Sequence, residues 1–223
     1  MGIDIHVQAN ATVVAQKAAK AVEEIFKKYT NHPILFLVSG GSPIEILKYL
    51  PKELFDDRVT VGVSDERFST DPTINNFAQI MFLPAKHWID TRPQEAETLE
   101  GLGVRFDTAL KNWKQKNPTG KIVITQGIGL DGHTTGQMPG CIFDDSNVWA
   151  VGYDAGNKNK YPLRVTTTMP FLRLVDDSVM YVCGKDKEEP LKRTLASEGD
   201  LSVTPSRIIH HMKHCLLFTD QQV

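Results

Sequence analysis

Three short polar clusters hold the residue types that do chemistry: Ser39-Gly40-Gly41-Ser42, Asp65-Glu66-Arg67, and Gly127-Ile128-Gly129-Leu130-Asp131-Gly132-His133. The third is the sharpest. Imidazole titrates near neutral pH, so His133 suits a general base. Asp131, two residues earlier, can orient the ring or a bound hydroxyl. A lone histidine in a core is usually structural, whereas one in a glycine-rich loop at a strand end more often acts on a ligand. The letters also fit a G-x-G-x-x-G dinucleotide fingerprint. That match is weak, because an acid and a histidine stand where the helix should begin and the segment is far from the N-terminus.

The first cluster reads as an anion cradle. Gly40 and Gly41 let backbone N–H groups approach a ligand, and Ser39 and Ser42 add hydroxyls. A helix starting near Pro43 would add its positive end. The alternative is a tight strand-to-helix turn with no ligand. The Gly-Lys-Ser/Thr ending of a P-loop is missing. In the second cluster Asp65 suits acid–base work and Arg67 suits an oxygen of a carbonyl, hydroxyl or phosphate. The alternative is an ion pair on a solvated loop. Asn75-Asn76 alone read as turn residues. Arg164 and Lys187 are candidate cations for the site, or surface charges. His210 and His214 are four apart, but no carboxylate or cysteine set joins them, so no metal is expected. Pro205 and Lys213 make that region look like an exposed connection. Cys141 lacks a basic activator nearby.

These clusters need elements to position them. Ala11, Val14, Ala18, Val22, Ile25 and Tyr29 draw one apolar helical stripe over about 11–29, capped by Asn10. Ile34 to Val38 is a continuous apolar run that fits a strand buried on both faces. Ile44 to Leu50 reads as helical. Val59 to Val63 reads as a strand, followed by a loop carrying Asp65-Glu66-Arg67. Helical stretches are expected around Phe77 to Leu83 and Gly103 to Lys116. The latter has Val104, Phe106, Leu110 and Trp113 as its apolar side and Lys111, Lys114 and Lys116 as a solvated face. Strands are expected at 121–125, 147–151, 178–183 and 214–219, with a helix at 185–195. Alternating strands and helices imply an α/β fold: a mainly parallel sheet with helices on both faces, a Rossmann-like open sandwich. The three clusters follow three strands, and ligands of such sheets bind outside the carboxyl ends of the strands. Clusters far apart in sequence are therefore expected to converge.

Composition narrows the partners. The 223 residues carry 25 Lys plus Arg against 27 Asp plus Glu, a net charge of −2. That balance gives no basic footprint for nucleic acid or an anionic membrane. At roughly 150 residues per domain one domain, 1–223, is the expectation. No apolar run approaches the length of a membrane span. Three scattered cysteines and a polar start fit a cytoplasmic protein in a reducing compartment.

Taken together, the motifs resemble the 6-phosphogluconolactonases, within the glucosamine-6-phosphate isomerase/deaminase superfamily. The resemblance runs from about Ile34 to Asp220. Val38-Ser39-Gly40-Gly41-Ser42-Pro43 is similar to the phosphate-loop motif SGGSTP, and Asp65-Glu66-Arg67 to the DER motif, with Asn75-Asn76 like the Ser-Asn pair after it. Gly129 through Gly140 resembles GxDGHTASLFPG, Arg164 to Pro170 resembles RITLTLP, and Gly184 with Lys187 resembles a GxxK helix start. The resemblance implies a sugar phosphate held by Ser39, Gly40, Gly41, Ser42 and Asn76, with Arg164 and Lys187 as clamps. It implies that His133 activates a water against a lactone carbonyl, Asp131 holds His133 or a sugar hydroxyl, Asp65 belongs to the catalytic set, and Arg67 positions substrate or stabilises the oxyanion. It implies no metal or organic cofactor, a small-molecule sugar phosphate as partner, and a monomer or homodimer. The alternatives are a glucosamine-6-phosphate deaminase or isomerase, using His133 and Asp65, and a non-catalytic sugar-phosphate-binding protein. The deaminases usually carry Glu five residues past the His, where this chain has Met138, and Tyr where it has Arg67. This chain lacks the Thr between Ser42 and Pro43. It also has Thr135-Gly136-Gln137-Met138 in place of Ala-Ser-Leu-Phe, and Gly136 is expected to loosen the segment beside His133.

Overall fold

The computed structural model describes residues 2–222, apart from the side chain of Lys158. In chain order its strands are β1 (Gly2–Val7), β2 (Ile34–Val38), β3 (Val59–Val63), β4 (Asp65–Arg67), β5 (His87–Trp88), β6 (Lys121–Gln126), β7 (Ala150–Asp154), β8 (Leu163–Thr167), β9 (Asp177–Val182) and β10 (His214–Thr219). The α-helices are α1 (Ala11–Lys28), α2 (Asn76–Ile80), α3 (Leu99–Lys116), α4 (Met169–Arg173) and α5 (Glu188–Leu195).

Every residue of β2 is buried, as its unbroken apolar run requires. It lies inside a seven-stranded sheet of order β1-β10-β9-β6-β2-β3-β5. All neighbours in that sheet run parallel. The period of two divides the sheet side chains between two cores. Ile34, Phe36 and Val38 meet α1, which presents Val14, Ala18, Val22 and Ile25. Leu35 and Leu37 face the opposite core, built with α3, α4 and α5. The sheet is thus covered on both faces, as expected for an α/β open sandwich.

Several expectations are corrected. Asp65-Glu66-Arg67 is not a loop but strand β4, the edge of a small antiparallel sheet of order β4-β8-β7. Its partner lies about a hundred residues on, so no local signal announces the pairing. Ser42–Tyr49 is a 3-10 helix rather than an α-helix. The strand expected at 147–151 lies at Ala150–Asp154. Helix α3 starts at Leu99, capped by the Thr98 hydroxyl. Its glycines are packing residues rather than a boundary: a Cβ on Gly103 would stand 2.2 Å from the Gly152 nitrogen, so this helix and β7 touch backbone to backbone. Val104 is 66% exposed, and Leu102 takes its place in the core. The polar-looking first residues form edge strand β1. The segment Pro205–His211 is a 3-10 helix whose Ser206, Ile208 and Ile209 are buried, not an exposed connection.

Candidate active site

Strands β3, β2, β6 and β9 are consecutive and parallel, so their carboxyl ends share one edge of the sheet. There they enclose a cleft of about 270 Å³. Ser39, Gly40, Gly41 and Ser42 enter it from β2, and Asp65, Arg67 and Asn76 from the chain after β3. His133 comes from the loop after β6, Lys187 from the turn after β9, and Arg164 from β8. Of the residues expected at the site, only Asp131 stands outside the lining.

Asp131 acts from behind. Its Oδ1 lies 2.6 Å from His133 Nδ1 and also accepts from the His133 backbone N–H at 3.1 Å. Burial works to raise the Asp131 pKa, but the hydrogen bond and charge of His133 outweigh it and hold the carboxyl below its ordinary value. An ionised carboxylate only accepts, so Nδ1 carries the proton of the neutral ring. Nε2 is then the basic nitrogen. Gly129 makes the arrangement possible: a Cβ there would fall 2.0 Å from His133 Nδ1 and 2.7 Å from Asp131 Oδ1. The loop closes on itself through the Gly129 N–H to the His133 carbonyl, 2.8 Å, and turns at Gly132, whose φ is +91°.

The Asp65-Glu66-Arg67 strand sends its side chains to three tasks. Asp65 is buried and accepts from Arg164 Nη1 at 2.9 Å, with both side chains nearly excluded from water. Arg164 also donates to the Tyr161 carbonyl and the Asn159 Oδ1, each at 3.0 Å. It is therefore held by the protein through all three nitrogens and fixes Asp65. Glu66 is fully buried and accepts from the backbone N–H groups of Arg67, Asn76 and Phe77 and from the Thr91 hydroxyl, at 2.6 to 3.1 Å. Burial pushes its carboxyl up to about 7, against the pull of those donors. Glu66 thereby anchors the start of α2, and with it Asn76, whose Nδ2 donates to the Asp65 carbonyl at 3.0 Å. Arg67 lies over the Tyr161 ring, 4.7 Å from its centroid, and donates to the Ile74 carbonyl at 3.2 Å.

The loop after β2 also lines the cleft. Gly41 takes φ +76°, a conformation glycine adopts freely. A Cβ on Gly40 would collide with the Asn76 amide at 2.3 Å. The Ser39 hydroxyl is 2.7 Å from that of Ser64. Lys187 Nζ donates to the Ile128 carbonyl at 2.8 Å, which holds the ammonium at the cleft and leaves two of its donors over.

Three buried polar atoms of lining residues make no hydrogen bond to any described residue: Arg67 Nε, Asn76 Oδ1 and Thr135 Oγ1. Sequence reasoning missed Thr135, Tyr161 and Asn159. Only the position of the last two, shortly before Arg164, hinted at a role. The expectation for Gly136 is reversed. Its N–H donates to Thr166 Oγ1 at 3.0 Å, and a Cβ there would lie 2.7 Å from Thr166 Cβ, so the segment is tight rather than loose. Among the described residues no group of three His, Cys, Asp or Glu is placed to hold a metal ion. His210 bonds the Thr194 carbonyl, while His214 joins Asp177 and Asp4.

The family model of glucosamine-6-phosphate isomerases/6-phosphogluconolactonase matches residues 8–218. The chain belongs to this family. Solved structures similar to it include a 6-phosphogluconolactonase from Plasmodium vivax, at 17% identity and TM-score 0.79, covering 98% of this chain and 91% of that one. Another is the 6-phosphogluconolactonase from Trypanosoma brucei, at 15% identity and TM-score 0.74, covering 98% and 96%. A third, from Thermotoga maritima, has 16% identity and TM-score 0.72, covering 98% and 99%. No curated protein sequence matches the chain. The isomerase/lactonase family thus has here its fold over almost the full length, and no helix among the described residues is long and apolar enough to cross a membrane.

Proposed function

We propose that this protein hydrolyses 6-phospho-D-glucono-1,5-lactone to 6-phosphogluconate, working as one α/β domain on a soluble sugar phosphate. One observation carries this function. His133, held by Asp131, lines a cleft that the glycine-and-serine loop and Lys187 also line. A phosphate suits the backbone N–H groups of that loop and the ammonium. The lactone carbonyl then falls toward His133.

His133 Nε2 takes a proton from water as the water oxygen bonds the lactone carbon. The carbonyl becomes an oxyanion, for which Arg67 Nε is an unpartnered donor. When the tetrahedral intermediate collapses, the bond from that carbon to the ring oxygen breaks. The imidazolium returns its proton to the leaving ring oxygen, and the new carboxylic acid ionises into solvent. Asp131 stabilises the imidazolium between the two transfers. Asp65, fixed by Arg164, and Asn76 line the wall where sugar hydroxyls would lie. Position 138, where a deaminase would carry an acid, is a fully buried methionine, which favours the lactonase over the deaminase.

The test compares lactone hydrolysis with the spontaneous rate, using freshly generated 6-phosphogluconolactone. Acceleration is expected. No acceleration, with turnover of glucosamine 6-phosphate instead, would replace the lactonase by the deaminase. No turnover of either would leave a sugar-phosphate-binding protein.

A further inference from the structure

Thr135 carries two anomalies at once. Its φ is +50°, a left-handed conformation that costs a β-branched residue energy. Its side chain is 6% exposed, and Oγ1 is buried with no hydrogen-bond partner among the described residues. A hydroxyl taken out of water and left unpaired is unfavourable. Local strain and an unpaired polar atom that persist together point to a task at that position.

The place identifies the task. Thr135 lines the cleft two residues past His133. Its neighbour Gly136 packs against Thr166 and against Asp65, whose Cβ would lie 3.2 Å from a Cβ built there. Thr135 thus lies in the chain between His133 and the residue packed on Asp65. A second unpaired atom of the lining, Asn76 Oδ1, lies at the Gly40 loop, where a built Cβ would stand 2.3 Å from it. An amide oxygen accepts and cannot donate, so its missing partner is an O–H or N–H. A threonine hydroxyl can do either. A hydroxyl is the ligand group that can pair with it in either sense, and Thr135 stands two residues past His133.

We infer that Thr135 is a specificity-determining residue that hydrogen-bonds the C2 hydroxyl of the lactone. This rests on the lactonase function proposed above.

The experiment measures kcat/KM for 6-phosphogluconolactone and its 2-deoxy analogue with wild type, Thr135→Val and Thr135→Ser. Each variant is first matched to wild type by thermal unfolding. Wild type is expected to prefer the 2-hydroxy substrate by about tenfold or more, the usual effect of leaving a binding hydroxyl unpaired. The preference should fall toward unity in Thr135→Val and survive in Thr135→Ser. An equal loss on both substrates in Thr135→Val would make Thr135 merely structural and overturn the inference. So would a wild type that does not distinguish the two lactones. If Thr135→Val does not fold, a Thr135→Ser variant that has lost the preference overturns it equally. Failure to accelerate either lactone would instead remove the lactonase function itself, and this inference with it.

Discussion

The two ends of the sheet each hold an aspartate–histidine pair, and one of them lies at the cleft. At the carboxyl ends of the strands Asp131 holds His133 at 2.6 Å. At the opposite ends Asp177, the first residue of β9, holds His214, the first residue of β10, at 2.8 Å. The distances hardly differ. The second ring nitrogen does. His133 lines the cleft with Lys187 and the loop after β2. His214 Nε2 lies 3.1 Å from Asp4 on edge strand β1, so both its nitrogens are occupied by carboxylates. Asp177 is wholly buried and also takes Tyr29 Oη and Lys28 Nζ. An aspartate that orients a histidine therefore makes a base only where the other nitrogen is left for a substrate. Where a second acid takes it, the same pair is a staple between strands.

Breaking each pair should separate the two roles. The largest effect belongs to His133→Ala, which is expected to lower kcat for the lactone by about 10³-fold, within the usual range for a lost general base, with little change in melting temperature. Asp131→Asn should cost about 10²-fold in kcat by losing control of the tautomer and of the imidazolium charge; a pH–rate profile would show the acidic limb, which reports the base, displaced. Gly129→Ala should also reduce kcat, because its Cβ overlaps the Asp131–His133 pair, while leaving the far end of the sheet untouched.

The staple should respond the opposite way. His214→Gln is expected to keep kcat and lose about 1–2 kcal/mol of stability in urea unfolding. Burial works against the His214 charge, but Asp177 and Asp4 prevail and raise its pKa above the ordinary 6.5. A raised histidine stabilises fully below its unfolded value and loses that contribution as pH climbs through the folded one. The gap between wild type and His214→Gln should therefore narrow as pH rises above the ordinary histidine value. Glu66 has a slope of the same sign over a lower range of pH. Its carboxyl is pushed from 4.5 to about 7, so the fold takes up a proton between those limits and this group's contribution declines as pH rises through them. Glu66→Gln should flatten that slope and disturb α2, the smallest of these effects on kcat.

Much of this was legible in the residues, for physical reasons that also mark where legibility ends. β2, β3 and β10 stand where their apolar and β-branched runs predicted, because a strand covered on both faces leaves no choice of side-chain polarity. The cleft residues converge as expected because parallel strands must deliver their following loops to one edge. Non-local pairing was not legible. β4 looked like a polar loop because its partner is β8, and the Asp65–Arg164 bond spans 99 positions. Arg164, expected as a phosphate clamp, turns inward to that acid. β1 alternates Ile3, Ile5 and Val7 with polar residues at an exposed edge, so its signal is faint. Pro205 suggested a surface connection, yet Ile208 and Ile209 fill the core beneath it. Thr135 could be recognised only once its backbone and its unpaired hydroxyl were visible.

The most direct test of the central claim places His133→Ala and His214→Ala side by side on fresh 6-phosphogluconolactone. The Asp131–His133 account predicts that the first loses its acceleration over the spontaneous rate while folded, and that the second retains it at a reduced melting temperature. Acceleration that survives in folded His133→Ala would contradict it, and the base would have to be sought elsewhere in the cleft.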